Sequence, residues 1–357
     1  MTRTRGTASS GTLEGTDVTP TVEVLSARTG SGVPAVAAPL VRSWPREAVR
    51  SNRASLTLLS ALVGVDTWAV TRMTEDTWTG LALETAAHSA DPGSRWSSSA
   101  AAGYPAGTPV RRGRSLCHHL LSGPAPVVVA DLERSEDPDV RAVAATWGVR
   151  GYLGVSLTSP TGEELGSLAG LSAAPLQPDD RDWAALLTVQ ATALQASLSA
   201  DIAALALARQ EVYERSLADH DDVTRLPDRR GWARLLAAEE EMSTPVGDPV
   251  GLVLVDLGVL RTVRSLRRAV AVAGEAAGDL RLARVGPRQL GVLAGGAGAS
   301  QVARTANLVQ ARLEGAGFAT ATAHSMRAGL EPLSTTWSRT EHALVAARRE
   351  RALPSGR

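Results

Sequence analysis

The sequence predicts an α/β protein of the α+β sandwich kind, with two sheets and their flanking helices on either side of one long helix. Three observations predict it. Short β-branched runs alternate with stretches of helical period in both halves of the chain. A helical run from about Asp179 to Asp219 separates the two sets. The 357 residues, 44% of them hydrophobic, suffice for two domains of ordinary size. The divisions that follow are a disordered tail over residues 1–45, a first domain over 46–182, a linking helix over 183–220 and a second domain over 221–353.

The tail is rich in Thr, Ser, Gly, Ala and Pro and has neither period. A helix carrying Leu56, Leu59 and Leu62 opens the first domain. Thr67–Met73 and Thr77–Ala86 read as strands around a turn at Thr74–Asp76, and Leu116–Leu121 as a short helix. Pro126–Ala130 is β-branched and continuous, which predicts a buried strand. Asp137-Pro138 starts a helix through Val140, Val143 and Trp147, with proline where its missing N–H costs little. Tyr152–Thr158 and Glu164–Leu171 form a strand pair around the turn Ser159–Gly162.

In the linking helix, Leu187, Leu194, Leu198, Leu205 and Val212 recur at mostly sevenfold or fourfold steps, interrupted by Asp201. That spacing makes a seam for a partner helix, so residues 183–219 are the expected surface for a protein partner or self-dimer; packing of the helix on its own domain is the alternative. The second domain reads as a helix over residues 229–241, a strand Val250–Asp256 and a helix through Val263, Leu266 and Val270. A hairpin, Arg281–Val285 and Gln289–Ala294, comes next. It is followed by a helix near Val302–Leu313, a strand near Phe318–Ala323 and a final helix through Trp337, Leu344 and Val345.

Formal net charge is zero and no basic block stands out, so no nucleic-acid footprint is present. All 37 basic residues other than His are Arg, which excludes chemistry that needs a lysine amine. Cys117 is the single cysteine, excluding an intrachain disulfide and a cysteine zinc cage. No uninterrupted apolar run of about 18 residues and no apolar leader occur, so a soluble, cytoplasmic protein without membrane contact is expected.

The segment DDVTRLPDRRGW (Asp221–Trp232) resembles the entry motif of GGDEF (diguanylate cyclase) domains, D-x-L-T-G-L-x-N-R-R, with Thr224, Leu226, Pro227, Arg229 and Arg230 in register. VGLVLVD ending at Asp256, ARVGPRQLGVL (Ala283–Leu293) and EHALVAARRER (Glu341–Arg351) resemble that family's first core strand, signature hairpin and closing helix, in the right order. The stretch SLCHHLL, PVVVADL and WGVRGYLGVSLTSPTGEELGSLAGL is similar to GAF domains, which are sensory modules. The resemblance therefore implies a GAF sensor joined to a GGDEF output.

Joining two GTP molecules into cyclic di-GMP needs a divalent metal held by carboxylates against the triphosphate. Asp256 matches the family's acid at the end of the first strand. The signature itself is degenerate: Gly286 remains, but Pro287, Arg288, Gln289 and Leu290 replace a glycine, two acids and the aromatic. Gly258 replaces the second strand-end acid, Arg264-Ser265 the base-reading pair, and Arg225 a glycine of the entry motif. The resemblance thus implies no catalytic residue, with Asp256 a metal remnant or simply a cap for the following helix. No cofactor is required; Mg²⁺ would matter only if cyclisation survived. One rival is a cyclase with a displaced metal site, using Glu275 or Asp279. Another is a receptor for GTP or cyclic di-GMP, with Arg264, Arg284 and Arg288 on phosphate. In the sensor, Trp68, Trp78, Cys117 and Tyr152 are the candidates for holding an unknown small ligand. Cys117-His118-His119 is too compact to wrap a metal alone. The Arg348–Arg351 stretch reads as a solvated helix end.

Overall fold

The computed structural model describes residues 47–89, 93–177 and 182–352. The tail expected over 1–45 lies outside the described residues. The first sheet is six-stranded and antiparallel, built from β1 (Thr67–Met73), β2 (Thr77–Thr85), β3 (Pro109–Arg111), β4 (Val127–Val129), β5 (Gly151–Thr158) and β6 (Glu164–Ser172), in the order β3-β2-β1-β6-β5-β4. Helix α1 (Glu47–Leu62) and the first half of α4 (Trp183–Ser216) cover one face. The short α2 (Leu116–Leu120) and α3 (Pro138–Trp147) cover the other. Asp137 caps α3 through the N–H groups of Asp139 and Val140, with Pro138 in the first turn, as the sequence predicts.

The second sheet is a four-stranded antiparallel one, ordered β10-β7-β9-β8, from β7 (Val250–Asp256), β8 (Arg281–Gly286), β9 (Gln289–Gly295) and β10 (Ala321–Met326). Helices α5 (Arg229–Ser243) and α8 (Leu333–Ala352) pack on the face shared with α4, while α6 (Val263–Ala277) and α7 (Ala299–Gly315) pack on the other. Central β7 is buried along its whole length because helices cover both its faces, which is why it reads as a continuous apolar run.

Three expectations about elements are corrected. The strand placed at Phe318–Ala323 starts only at Ala321. Gly317 takes the left-handed conformation (φ 84°) that closes α7, and the Phe318 N–H is spent on the Leu313 carbonyl (3.0 Å). The strand at Pro126–Ala130 is not buried: β4 pairs only with β5, and Val128 faces solvent from this edge. The leucine seam of α4 is not free for a second chain. Leu187, Ala191 and Leu194 are buried against the first sheet and α1, while Leu198, Leu205, Ala208 and Val212 enter the core of the second unit. Even Asp201, in the middle of the seam, is buried. Helix α4 is also long and apolar enough to cross a membrane, which a search for uninterrupted apolar runs misses; its apolar stripe lies in these two cores.

The two sheets therefore share packing. Leu165 of β6 lies in the same apolar cluster as Trp232, Val250 and Leu344. Arg209 of α4 donates to Glu239 of α5 (2.6 and 3.0 Å) and to Asp248 (2.7 Å), and Arg72 of β1 approaches the other Asp248 oxygen at 3.6 Å. At the turn after β1, the Glu75 carboxylate accepts from the Ser300 N–H (2.8 Å) at the start of α7.

Candidate functional site

Alternation along β1 and β6 sends Thr67, Ala69, Ala169 and Leu171 to the α2–α3 side of the first sheet, where they floor a cavity of about 50 Å³. Trp78 of β2, Trp96 and Tyr104 of the loop before β3, Ser115 and Cys117 around α2, and Trp147 of α3 supply its walls. The rings of Trp78 and Tyr104 are 6.0 Å apart, and those of Tyr104 and Trp147 meet edge to face at 5.2 Å. Two of the polar edges are already used: the Tyr104 hydroxyl donates to the Thr108 carbonyl (2.7 Å), and Trp147 Nε1 to the Arg114 carbonyl (2.9 Å). Trp78 Nε1, Trp96 Nε1 and Ser115 Oγ are buried and have no partner among the described residues. Burial pushes the Tyr104 phenol up to about 12, so it stays neutral at any physiological pH.

Of the four sequence candidates for ligand contact, Trp78 and Cys117 line the cavity. Tyr152 lies beside Cys117 in the same cluster, beneath the wall; burial, aided by the neighbouring thiol, pushes its phenol well above the usual value. Trp68 is a correction. One residue out of step with Thr67 and Ala69, it faces the opposite side and packs with Leu56, Leu59 and Leu194. Trp96, Tyr104, Ser115 and Trp147 complete the lining, and no local motif in the sequence marks them. The signal that could have found them is the concentration of rare aromatics between residues 78 and 152. His118 and His119 serve local contacts, His118 Nδ1 with Arg112 Nε (3.2 Å) and His119 Nε2 with the Gly113 carbonyl (2.8 Å). No group of three or more metal-ligating side chains occurs among the described residues.

In the second sheet the register puts Asp256, at the end of β7, opposite Gln289 of β9 and Ala321 of β10. One Asp256 oxygen accepts from the Gly258 N–H (2.7 Å), and the other is ion-paired with Arg348 of α8. The Arg348 side chain thus reaches back to the sheet, an exception within the expected solvated helix end, where Arg349, Glu350 and Arg351 are exposed. Gly258 stands where the family pattern has its second acid. Its φ is 63°, and a Cβ there would sit 2.3 Å from the Ala319 carbonyl oxygen, so the backbone itself excludes a carboxylate. Asp279, the proposed substitute ligand, lines a cavity with Gly295, which is paired with Val250 at the far end of β7; Glu275 sits on α6.

The hairpin tip presents Pro287 and Arg288 to solvent, while Leu290 turns inward to the α6–α7 core. Among the candidate phosphate ligands, Arg264 is exposed near the start of α6, but Arg284 is engaged by Asp221 (2.6 Å) and the Pro287 carbonyl (3.0 Å). Burial alone raises the Asp221 carboxyl. Hydrogen bonds from Thr224 and the charge of Arg284 outweigh burial and hold it below its ordinary value.

The family model of the GAF domain matches residues 52–198, the span of the first sheet with its helices and the first half of α4. This segment is a GAF domain. No curated protein matches the chain. Among solved structures, the GGDEF domain of DgcB from Caulobacter crescentus, in complex with c-di-GMP, is similar at 19% identity over 37% of this chain and 89% of that one, with a TM-score of 0.35. The free methionine-R-sulfoxide reductase of Neisseria meningitidis, in complex with its substrate, is similar at 20% identity over 43% and 78% of the respective chains, with a TM-score of 0.32. The FimX GGDEF domain from Pseudomonas aeruginosa is similar at 17% identity over 37% and 94%, with a TM-score of 0.31.

Proposed function

We propose that this chain is a bacterial, cytoplasmic regulatory protein of the cyclic di-GMP type. Its GAF cavity receives a small molecule, and its GGDEF-like second domain transmits the signal without making cyclic di-GMP. The observation that carries this reading is the state of Asp256. The one acid retained from the metal site is neutralised by Arg348, and its neighbour at 258 is a glycine whose backbone geometry excludes a second carboxylate. Adding a divalent cation there means breaking an ion pair and leaving a guanidinium beside the metal, while the hairpin offers Arg288 and Gln289 in place of acids.

The route of the signal is direct contact. Occupancy of the cavity moves α2 and α3 relative to the first sheet. That sheet shares Leu165 and α4 with the second core and is tied to it by Arg72, Asp248, Arg209 and Glu239. A ligand shifts such an equilibrium only as far as its affinities for the two states differ. The output is a changed surface on residues 221–353, read by a protein partner.

Calorimetric titration of the full chain with GTP, with and without Mg²⁺, tests the reading. The expected result is no Mg²⁺-dependent heat. Saturable Mg²⁺-dependent binding that is lost in Asp256→Ala contradicts it.

A further inference from the structure

The proposal that the GAF cavity holds a small molecule leaves the chemistry of that molecule open, and the walls narrow it. We infer that the cavity is built for an uncharged, flat, aromatic molecule that carries hydrogen-bond acceptors and has neither phosphate nor ammonium. This inference rests on the reading of the cavity as a ligand site and names the class of ligand.

Charge comes first. Every described residue lining the cavity is neutral, so a phosphate or carboxylate entering it finds no Arg to pair with, and a cation finds no carboxylate. Burying an unpaired ion in so apolar a space is strongly unfavourable. Three aromatic rings set at an angle to one another, Trp78, Tyr104 and Trp147, would on their own also suit a quaternary ammonium. The free polar atoms decide against it. Trp96 is 2% exposed and Ser115 5%, and the indole N–H of Trp96, the hydroxyl of Ser115 and the indole N–H of Trp78 are all unpartnered among the described residues. An indole nitrogen only donates, so it repels an ammonium and is satisfied by an acceptor. Each of these atoms exposes less than 1 Å² in the structure, so the walls must shift for a ligand to accept from them, and a ligand that does so recovers the cost of leaving them buried and unpaired. Shape follows from the same walls. The Tyr104 and Trp147 polar ends are spent on backbone carbonyls, so these two residues offer ring surface alone, against which a planar ring stacks.

The test uses the full chain labelled with ¹⁵N, following the indole N–H resonances of Trp78 and Trp96, assigned by their loss in Trp78→Phe and Trp96→Phe. Four probes are titrated: coumarin and quinoxaline, both uncharged bicyclic acceptors, phenyltrimethylammonium as the cation, and cyclic GMP as the anion. The expected result is saturable shifts of these resonances with coumarin or quinoxaline and none with the charged probes. Ser115→Ala should weaken the affinity about tenfold, the size of one buried hydrogen bond. Saturation by either charged probe, with the neutral ones silent, overturns the ligand class while leaving the cavity a ligand site. Silence of all four probes overturns the class and the ligand-site reading together. Both outcomes are read on the unmodified protein, and the Trp→Phe variants serve only to assign the resonances.

Discussion

At Arg225 the backbone adopts φ 61°, a left-handed conformation, at the position where the GGDEF entry motif carries glycine. The turn is held by Asp221, whose carboxylate accepts from the Thr224 N–H (2.8 Å) and whose carbonyl accepts from the Arg225 N–H (2.8 Å), so the chain tolerates a conformation that costs roughly 1–2 kcal/mol outside glycine. Arg225→Gly is therefore expected to stabilise the protein by about 1 kcal/mol, read as a raised midpoint of urea unfolding at unchanged slope. Asp256 gives the opposite case. Removing its partner in Arg348→Ala leaves a mostly buried carboxylate uncompensated, and a loss of about 2 kcal/mol is expected in the same assay. Restoring acids at the hairpin, as Arg288→Asp with Gln289→Glu, should not create Mg²⁺ binding, because Arg348 and the Gly258 backbone remain in place; calorimetry with Mg²⁺ checks it. The hairpin over Arg281–Ala294 was legible in the sequence, since two short apolar runs flank Gly286-Pro287. The Asp256–Arg348 pair was not, because 92 positions separate the partners and a helix-end Arg cluster usually faces water.

Among the elements, α4 departs furthest from its sequence reading. Its stripe of Leu187, Leu194, Leu198, Leu205 and Val212 is plain in the sequence, since spacing reports which face is apolar. Spacing does not report what covers that face: a second helix, one sheet or two sheets leave the same period. Here the first half of the stripe meets one core and the second half another. Leu205→Ala, fully buried in the second core, is expected to cost about 3 kcal/mol by thermal or chemical unfolding. Charged contacts near it also join the two sheets. Burial works against the charge on Arg209, but its bonds to Glu239 and Asp248 more than compensate, so it remains protonated and paired. Asp248→Ala strips Arg72 and Arg209 of their shared partner, with an expected cost of about 3 kcal/mol. Hydrogen exchange in that variant should rise on both sides of the contact, in β1 and in α5. A rise confined to one side would show that the two sheets open independently. The strands were legible where a sheet face alternates or a strand is buried on both faces. They were less so at β10, whose start is set by the cap of α7 rather than by its own residues.

For the molecule as a whole, shared packing makes the two sheets one cooperative body, so a single unfolding transition is expected in calorimetry. Its acid limit follows from carboxyls held low in the folded state. Asp221 is one. Glu331 is another, where burial raises the carboxyl but bonds from Arg339, Thr336 and the Ala328 N–H outweigh it. A carboxyl whose folded pKa lies below its unfolded value of about 4 binds protons more readily when unfolded. Stability is therefore complete at neutral pH and falls as pH drops below about 4, which unfolding midpoints measured from pH 7 to pH 3 should follow. At the alkaline end Tyr104 acts in reverse: its contribution is whole below pH 10 and is lost as pH rises toward about 12. These properties belong to the assembled fold, as does the cavity under the first sheet, whose walls come from β1, β2, β3, β6, two helices and a loop. The central claim is that this assembly signals without cyclising, and one measurement addresses it most directly. The purified full chain is incubated with GTP and either Mg²⁺ or Mn²⁺, and the products are identified by mass spectrometry. The account predicts unchanged GTP and no cyclic di-GMP; cyclic di-GMP that forms with the native chain and vanishes in Asp256→Ala would contradict it.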